Sequence, residues 1–441
     1  MSEINRRDFI KNMALGAGLV MTPGFASAQN KVSANDKLNV AVVGVGAEGK
    51  VLLESMVKIP GLHFRAICDI WPAHCRFGAA YTKSRTKQKD MPKMYENYED
   101  LIAKEKDLDA VVIATPDFWH SPQTCDFLKA GVNVYCEKMM AESKEKAADM
   151  VRAQRKSGKL LQIGHQRTSN PLYHYARDIL IRQKNICGRL VNANGQWNRA
   201  ASKDLVMPKK GGVSLDVIKR YGYEDEHMFM NWRWYKGKGG GPISDLGAHQ
   251  LDIFGWIFGG KPIDVLASGD TNYYNKPWYD NVMCIINYNT FQKHTAKAFY
   301  QVLTATSAGG GYFEQFMGDE GAIKMSENPA LIKIFRENNA PDWKHYIDEG
   351  VLKNSSAPST PVAIKDARET KALVAYEMPK TLDLPPHMYH LQNFFDAVRG
   401  KCALNCDGAH AYEREAVVYK VVQAIEAQKT LKFEDSDFIV S

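Results

Sequence analysis

Two short clusters hold side chains suited to moving a proton and a hydride. The first is Glu137-Lys138, which closes the apolar run Val134-Tyr135-Cys136. It puts a carboxylate and an amine at the carboxyl end of a strand, where open α/β sheets bind ligands. Neighbouring side chains of an extended chain point to opposite sides, so one of the two can face a crevice. A surface pair at a strand end is the plainer alternative. The second cluster runs from Gly239 to Asp252, with Asp245 and His249 four residues apart. On a helix that spacing puts both side chains on one face. A carboxylate beside an imidazole raises its basicity and suits it to take an alcohol proton near neutral pH. Taken alone, Asp245 could equally cap the helix and His249 be a satisfied core histidine. Hydride leaves a carbinol carbon only as its oxygen loses a proton, so a base and a cation are both needed at that oxygen. The base typically contributes ~10²–10⁴ in rate, the remainder coming from positioning and charge stabilisation.

The acceptor for such a hydride is signalled by Val40–Gly49, a strand-like run ending in G-x-G-x-x-G and turning into a helical pattern. Gly44 allows the tight turn, Gly46 lets backbone approach a pyrophosphate, and Gly49 lets helix and strand pack closely. The helix start offers free N–H groups and a positive dipole end to the phosphates. Asp69 closes the next apolar run and can accept from both ribose hydroxyls. Ile70 and Trp71 follow it, with no Arg at either position to pair a 2′-phosphate, although Arg76 lies further on. NAD is therefore expected over NADP.

Behind these residues, strand-like runs at Asn39–Val43, Phe64–Asp69, Ala110–Thr115, Asn133–Cys136 and Leu160–Ile163 alternate with helical patterns. The alternation predicts a parallel, doubly wound Rossmann sheet over residues 36–164. Pro116 imposes an extended turn on Thr115 at the same sheet edge as Glu137. From Asn170-Pro171 the rhythm changes. Runs at Arg189–Asn198, Ile263–Tyr274, Asn281–Tyr288 and Thr295–Leu303 have turn-like connections. They predict an α+β domain over 165–441 with an open, mainly antiparallel sheet and one internal helix, Asp245–Phe258. Helical patterns near Met388–Arg399 and Ala409–Gln428 end the chain. Segments Ala200–Glu226 and Asn338–Lys371 are expected to be long surface excursions.

Residues 1–28 carry an address. Asn5-Arg6-Arg7-Asp8-Phe9-Ile10-Lys11 is a twin-arginine signature, followed by a short apolar run and Ala26-Ser27-Ala28, an A-x-A cleavage site. A periplasmic protein starting at Gln29 is expected, and no segment is long enough to span a bilayer. The twin-arginine route carries folded proteins, so a redox cofactor would travel bound. The chain's net charge of +7 becomes +6 once the leader's Arg6, Arg7 and Lys11 are set against Glu3 and Asp8. Spread over about 410 residues, that is a mild solubilising charge. The Lys83–Lys89 run suits a solvated face, and a nucleic-acid partner is not expected. The eight cysteines show no metal spacing with His. Cys68, Cys125, Cys136 and Cys284 lie in apolar runs, and Cys402 with Cys406 are the pair that an oxidising compartment could join.

The set Gly44-x-Gly46-x-x-Gly49, Glu137-Lys138, Gly164-His165-Gln166-Arg167, Asn231-Trp232-Arg233-Trp234 and Asp245-x-x-x-His249 resembles the glucose–fructose oxidoreductase/inositol dehydrogenase (Gfo/Idh/MocA) family. The resemblance covers about Leu38 to Ser441. It implies hydride transfer to or from a sugar-like alcohol. By family pattern Lys138 holds the reacting hydroxyl, His249 is its general base, and Asp245 orients His249 or grips a neighbouring hydroxyl. Thr115, Pro116, His120 and Glu137 line the nicotinamide and ribose with Gln166 nearby, and Trp232 and Arg233 reach the cofactor from the second domain. One departure is visible: the family's Glu-Lys-Pro is Glu137-Lys138-Met139, without the Pro that often accompanies a cis bond there.

The lead expectation is an NAD(H)-dependent oxidoreductase acting at a secondary hydroxyl of a sugar or glycoside with a retained cofactor. An NAD-dependent glycosidase working by transient oxidation and elimination is the alternative. A sugar or NAD sensor without chemistry is the third. Trp197, Trp232, Trp234, Tyr235 and Tyr312 are candidates to stack on pyranose faces. The open sheet face predicts a homodimer or tetramer.

Overall fold

β-Branched runs with both faces apolar make poor surface strands, and here they pair in parallel inside a covered sheet. A computed structural model describes residues 36–355 and 372–441. The twin-arginine signature and its cleavage site lie outside the described residues. Six strands form the first sheet: β1 (Leu38–Val43), β2 (Leu62–Cys68), β3 (Lys93–Tyr95), β4 (Ala110–Ile113), β5 (Asn133–Cys136) and β6 (Leu161–Ile163). Their order is β3-β2-β1-β4-β5-β6, every pair parallel. The order reverses between β1 and β4, and that switch point opens a crevice at the carboxyl ends of the strands.

Helices α1 (Ala47–Met56), α2 (Pro72–Thr86), α3 (Tyr98–Lys104), α4 (Asp117–Lys129) and α5 (Lys144–Ser157) make the crossovers. Helix α5 shows how local the signals are: the Ser143 hydroxyl caps Lys146 N–H, and Gly158 ends the helix in the left-handed region. Edge strand β3 has only three residues, two of them exposed, and carries no periodic signal.

The second sheet has ten strands: β7 (Leu190–Asn198), β8 (Pro262–Asp270), β9 (Asn281–Asn289), β10 (Thr295–Leu303), β11 (Tyr312–Gly318), β12 (Gly321–Met325), β13 (Lys333–Arg336), β14 (Lys353–Asn354), β15 (Val374–Glu377) and β16 (Leu431–Lys432). All its pairs are antiparallel except β7–β10. The strands after β10 are short and were not anticipated from the sequence. Helix α6 (Ala248–Phe258) is buried along its whole length against this sheet.

Three structural findings refine the expectations. First, the closing helices α7 (Pro386–Val398) and α8 (Gly408–Ala427) return to the nucleotide domain. Met388, Leu391, Phe394 and Phe395 pack with Val40, Val42, Leu52 and Leu53. Helix α8 is shared, Ala411 and Tyr412 joining the first core and Val417, Val418 and Val421 the second. Second, Ala200–Glu226 runs over the surface as expected, most of its residues exposed, but it is tied down at a few apolar points. Its Val213, Ile218, Tyr221 and Tyr223, with Met228 just beyond it, bury themselves with Trp71 of the nucleotide domain. Trp71 Nε1 donates to Gly211 O at 2.6 Å and Trp119 Nε1 to Tyr221 O at 3.3 Å. The described part of Asn338–Lys371 likewise contributes buried Trp343 and Leu352. Third, all eight cysteines are free; Cys406 is buried in the core while Cys402 is exposed, so the two do not pair. Among the described residues no helix is long and apolar enough to cross a membrane.

Candidate active site

The crevice between the two domains is a continuous cavity of about 430 Å³. Its floor is the β1–α1 turn. Gly44 has φ +88°, and a Cβ there would stand 2.6 Å from Ala114 O at the end of β4. A Cβ on Gly49 would collide with Gly44 O, so this glycine serves the turn itself more than helix–strand packing. Around Gly46 nothing lies within 4 Å of a Cβ position, leaving space for a pyrophosphate at the helix start. Asp69 is held at the crevice by Val45 N–H on Oδ2 (2.7 Å) and Trp71 N–H on Oδ1 (2.7 Å), with His74 Nδ1 3.7 Å away. These residues fit a dinucleotide with its adenosine ribose at Asp69.

Both catalytic candidates reach this cavity. Lys138 and His249 line it from the first and second domains respectively. Lys138 Nζ donates to the main-chain O of Asp245 at 2.5 Å and lies 3.6 Å from its carboxylate. The Lys138–Met139 bond is cis although residue 139 is not proline. The loop carrying Lys138 is anchored from α8: Met140 N–H donates to the buried Glu415 carboxylate (2.8 and 3.0 Å), and Tyr419 OH donates to Ala141 O (2.8 Å). Glu415 also accepts from His165 Nε2 at 3.0 Å.

The Asp245–His249 dyad expected from the spacing does not form. Residues Ile243–Gly247 make a π turn before α6, and i→i+5 bonding moves residues four apart off a common line. Asp245 turns to Arg233 (Nε to Oδ1, 3.1 Å) and Lys138 instead. Burial pushes its carboxyl up, but Arg233, Lys138 and Arg199 outweigh burial and hold it at about 2. His249 is driven well below the usual imidazole value by burial and by the charges of Lys138, Arg167, His165 and His387. Among the described residues its Nδ1 has no hydrogen-bond partner. The imidazole is a neutral base, not one strengthened by Asp245.

The other expected residues also border the cavity, with more specific duties. Pro116 sits at its wall as the N-cap of α4. His120 faces two carbonyls, Thr115 O and Met139 O, both at 2.7 Å, and so ties the β4 and β5 loops together. Burial lowers its pKa to about 4, leaving a neutral ring that donates to one of them. The Thr115 hydroxyl donates to Gln123 Oε1 (2.7 Å), and Gln166 Nε2 to Glu327 Oε1 (3.2 Å). Glu137 is buried, accepts from Tyr135 OH (3.0 Å), and is raised to about 8 by burial and by Glu48. Arg233 stacks on Trp232, 4.3 Å from guanidinium to ring centre.

Four cavity residues escape sequence reasoning. Asp117 follows Thr115-Pro116, is buried, and takes no hydrogen bond among the described residues; burial raises its carboxyl to about 7 against the pull of Lys138 and Arg233. Glu48 and His387 meet at the cavity edge. Trp71 anchors the covering segment. Asp117 was visible as an acid at a strand end, but His387 lies about 340 residues from Glu48 and only folding brings them together. Among the aromatic candidates Trp197 and Trp232 line the cavity, whereas Trp234 packs with Tyr274 and Lys276 instead.

A Rossmann domain whose switch-point crevice is roofed by a sheet-bearing second domain defines a two-domain dinucleotide-binding class. Residues 38–165 match the profile described as oxidoreductase family, NAD-binding Rossmann fold, and residues 213–433 match the family's C-terminal alpha/beta domain. The chain belongs to the Gfo/Idh/MocA oxidoreductase family, and its cofactor is NAD. Its relatives include a 2,7-anhydro-N-acetylneuraminate hydratase of Mediterraneibacter gnavus, 24% identical over 52% of this chain and 51% of the relative. A glycosyl hydrolase family 109 protein of Stenotrophomonas maltophilia is 31% identical over 36% and 35% of the two chains. The inositol 2-dehydrogenase of Rubrobacter xylanophilus is 32% identical over 31% and 38%. The chain thus spans about half or less of the length of these relatives. Over the whole fold it is similar to an NAD-binding protein from Listeria innocua (TM-score 0.65, 19% identity, 91% of this chain and 98% of that one). A levoglucosan dehydrogenase in complex with NADH aligns equally well (TM-score 0.65, 15% identity, 90% and 99%).

Proposed function

We propose that this chain is an exported NAD(H)-dependent oxidoreductase that moves hydride at a secondary hydroxyl of a sugar or glycoside and keeps its cofactor between turnovers. The observation that carries this reading is the convergence of an amine from one domain and an unpaired imidazole from the other on the cavity floored by the dinucleotide turn. NAD, when bound, supplies the hydride acceptor. Lys138 presents a cation where negative charge grows on the reacting oxygen. His249, kept neutral by burial, takes the hydroxyl proton. Asp245 is the ionised partner of Lys138 and Arg233, and orients the ammonium rather than the imidazole. Trp197 and Trp232 offer apolar faces to a sugar ring.

Retention is supported by the 200–226 segment, which ties down both sides of the adenosine end through Trp71 and Trp119. A protein exported folded leaves the nicotinamide pool behind and needs such a hold. Self-association is supported by the open sheet face, where Leu266 (49% exposed), Met283 (40%) and Ile285 (40%) stand uncovered in this chain.

A glycosidase reading has one specific observation in its favour. Asp117, its carboxyl raised to about 7, and an ionised Asp245 border the same cavity, and carboxyls pushed apart in this way serve as acid and anion. Mass spectrometry of the purified protein tests retention by finding carried nicotinamide dinucleotide. A sugar and glycoside panel then separates the chemistries: net formation of reduced nicotinamide supports oxidation. Phenol release from aryl glycosides without net reduction supports hydrolysis. No response to any sugar refutes both.

A further inference from the structure

The C-terminal end of α6 gathers positive charge with few acids to answer it. Gly255, in its last turn, and Gly259, its C-cap, are four residues apart and share a face that Trp256 borders. A Cβ on Gly255 would collide with Nη1 of Arg414 from α8, and one on Gly259 with Nη2 of Arg182. Two guanidinium groups thus press on the helix where side chains are missing. A third, Arg177, stands over Trp256, 4.4 Å from its ring centre. Arg177 and Arg182 come from the π-helical turn Tyr175–Gln183, in which residues five apart stand one turn apart. Asp178 is the one carboxylate among the described residues paired with any of the three. It holds Arg177 at 3.1 Å and is shared with His174 at 3.0 Å. Asp252, one turn earlier on α6, faces His165 instead (3.8 Å). Arg414 has no hydrogen bond or ion pair among the described residues. The buried Nε atoms of Arg177 and Arg182 have no hydrogen-bond partner there either. Nor has the hydroxyl of fully buried Tyr288, whose ring packs on Phe258 with 5.4 Å between centres. Three guanidinium charges less Asp178 leave a surplus of two, and the negative helix end offsets about half a charge. Burial lowers the pKa of Arg177 and Arg182, and each also feels another guanidinium: Arg414 acts on Arg177, and Arg177 on Arg182.

We propose that this cluster is a second binding site, in which Arg177, Arg182 and Arg414 hold a tetrahedral oxyanion, sulfate or phosphate, at the end of α6. Each guanidinium presents N–H donors in a rigid fork that matches paired oxygens, and none can accept. A set of donors with so few acceptors is completed by a ligand that only accepts. The surplus of two charges suits a dianion over a monoanion, and charge-assisted bonds to it are the strong kind. None of the three arginines lines the dinucleotide cavity. The site lies about 15 Å along α6 from His249, at 1.5 Å per residue. It stands whatever sugar chemistry the cavity performs.

The test titrates NAD-loaded protein, whose pyrophosphate position is filled, with inorganic sulfate, inorganic phosphate and acetate in a calorimeter at low ionic strength. One sulfate or phosphate per chain is expected to bind saturably, and acetate about tenfold more weakly or not at all. The tighter of the two dianions names the ion. Arg414→Gln and Arg182→Gln each remove charge-assisted hydrogen bonds and are expected to weaken binding about 10- to 100-fold. Melting temperature separates binding from a packing role. In chloride buffer Arg414→Gln relieves repulsion and is expected to melt no lower than the parent, while losing the rise that the bound ion gives the parent. Sulfate stabilises proteins by exclusion as well, so the reading is the difference between parent and variant in the same salt. Three results overturn the site: no saturable binding of either dianion, acetate bound as tightly as both, or affinity unchanged in both arginine variants. An Arg414→Gln protein that melts lower in chloride and keeps the full anion response also overturns it, by showing that Arg414 only packs the helix end.

Discussion

Trp71→Ala is expected to convert a held cofactor into an exchanging one. Trp71 precedes α2 beside Asp69, stacks on His74 (ring centres 4.4 Å apart), lies 5.9 Å from Phe229, and anchors the 200–226 segment through its indole N–H. Removing a buried tryptophan costs about 3–5 kcal/mol. The indole joins the covering segment to the nucleotide domain, so the cost falls mainly on the closed arrangement. At about 1.4 kcal/mol per factor of ten, the open population rises by about two to three and a half orders of magnitude. Trp71→Phe separates packing from the hydrogen bond. It keeps a ring and loses only the donor to Gly211 O, which sits at an exposed residue where water takes over. The net cost is then about 1 kcal/mol, or roughly fivefold. Dinucleotide content after desalting, its exchange rate against labelled NAD, and protease sensitivity within 200–226 measure the effect. Unchanged exchange and unchanged cleavage in Trp71→Ala would refute the idea that this segment holds the cofactor.

Three further outcomes are expected. Lys138→Met and His249→Gln each lower reduced-nicotinamide formation by about 10²–10⁴-fold with cofactor still bound; full activity in either removes that residue from the chemistry. Asp69→Ala takes away the acceptor for Val45 and Trp71 N–H, weakening NAD binding and narrowing the preference over NADP, as titration calorimetry with both dinucleotides will reveal. Asp117→Asn raises thermal stability at pH 8 but not near pH 4. A carboxyl held near about 7 in the fold and near about 3.9 unfolded contributes fully below the lower value. It loses that contribution as pH rises through the upper one, on the order of 2–4 kcal/mol in all. Equal melting shifts at the two pH values would contradict a raised Asp117 carboxyl.

Local chemistry is enough to specify part of this molecule. The β1 glycine turn, the boundaries of β5 and β10, and α5 between Ser143 and Gly158 follow from strand propensity, turn geometry and capping, each written within a few residues. Asp69 was legible because its place relative to the turn is set by one βαβ unit. Lys138 and His249 were legible as candidates, and their meeting at one cavity was an expectation that only folding could meet. Which groups pair is set by long-range packing. A π turn took Asp245 from His249 and gave it to Arg233 and Lys138. Helix α8 supplied Glu415 to the Lys138 loop from about 275 residues away, and α7 supplied His387 to Glu48. The 200–226 segment looked solvated because its apolar residues are scattered without a period, yet Trp71 gives them a surface to cover. Partners so far apart in the chain leave no mark in local propensity. Long-range packing chooses them, and with them the charge state of each group in the cavity.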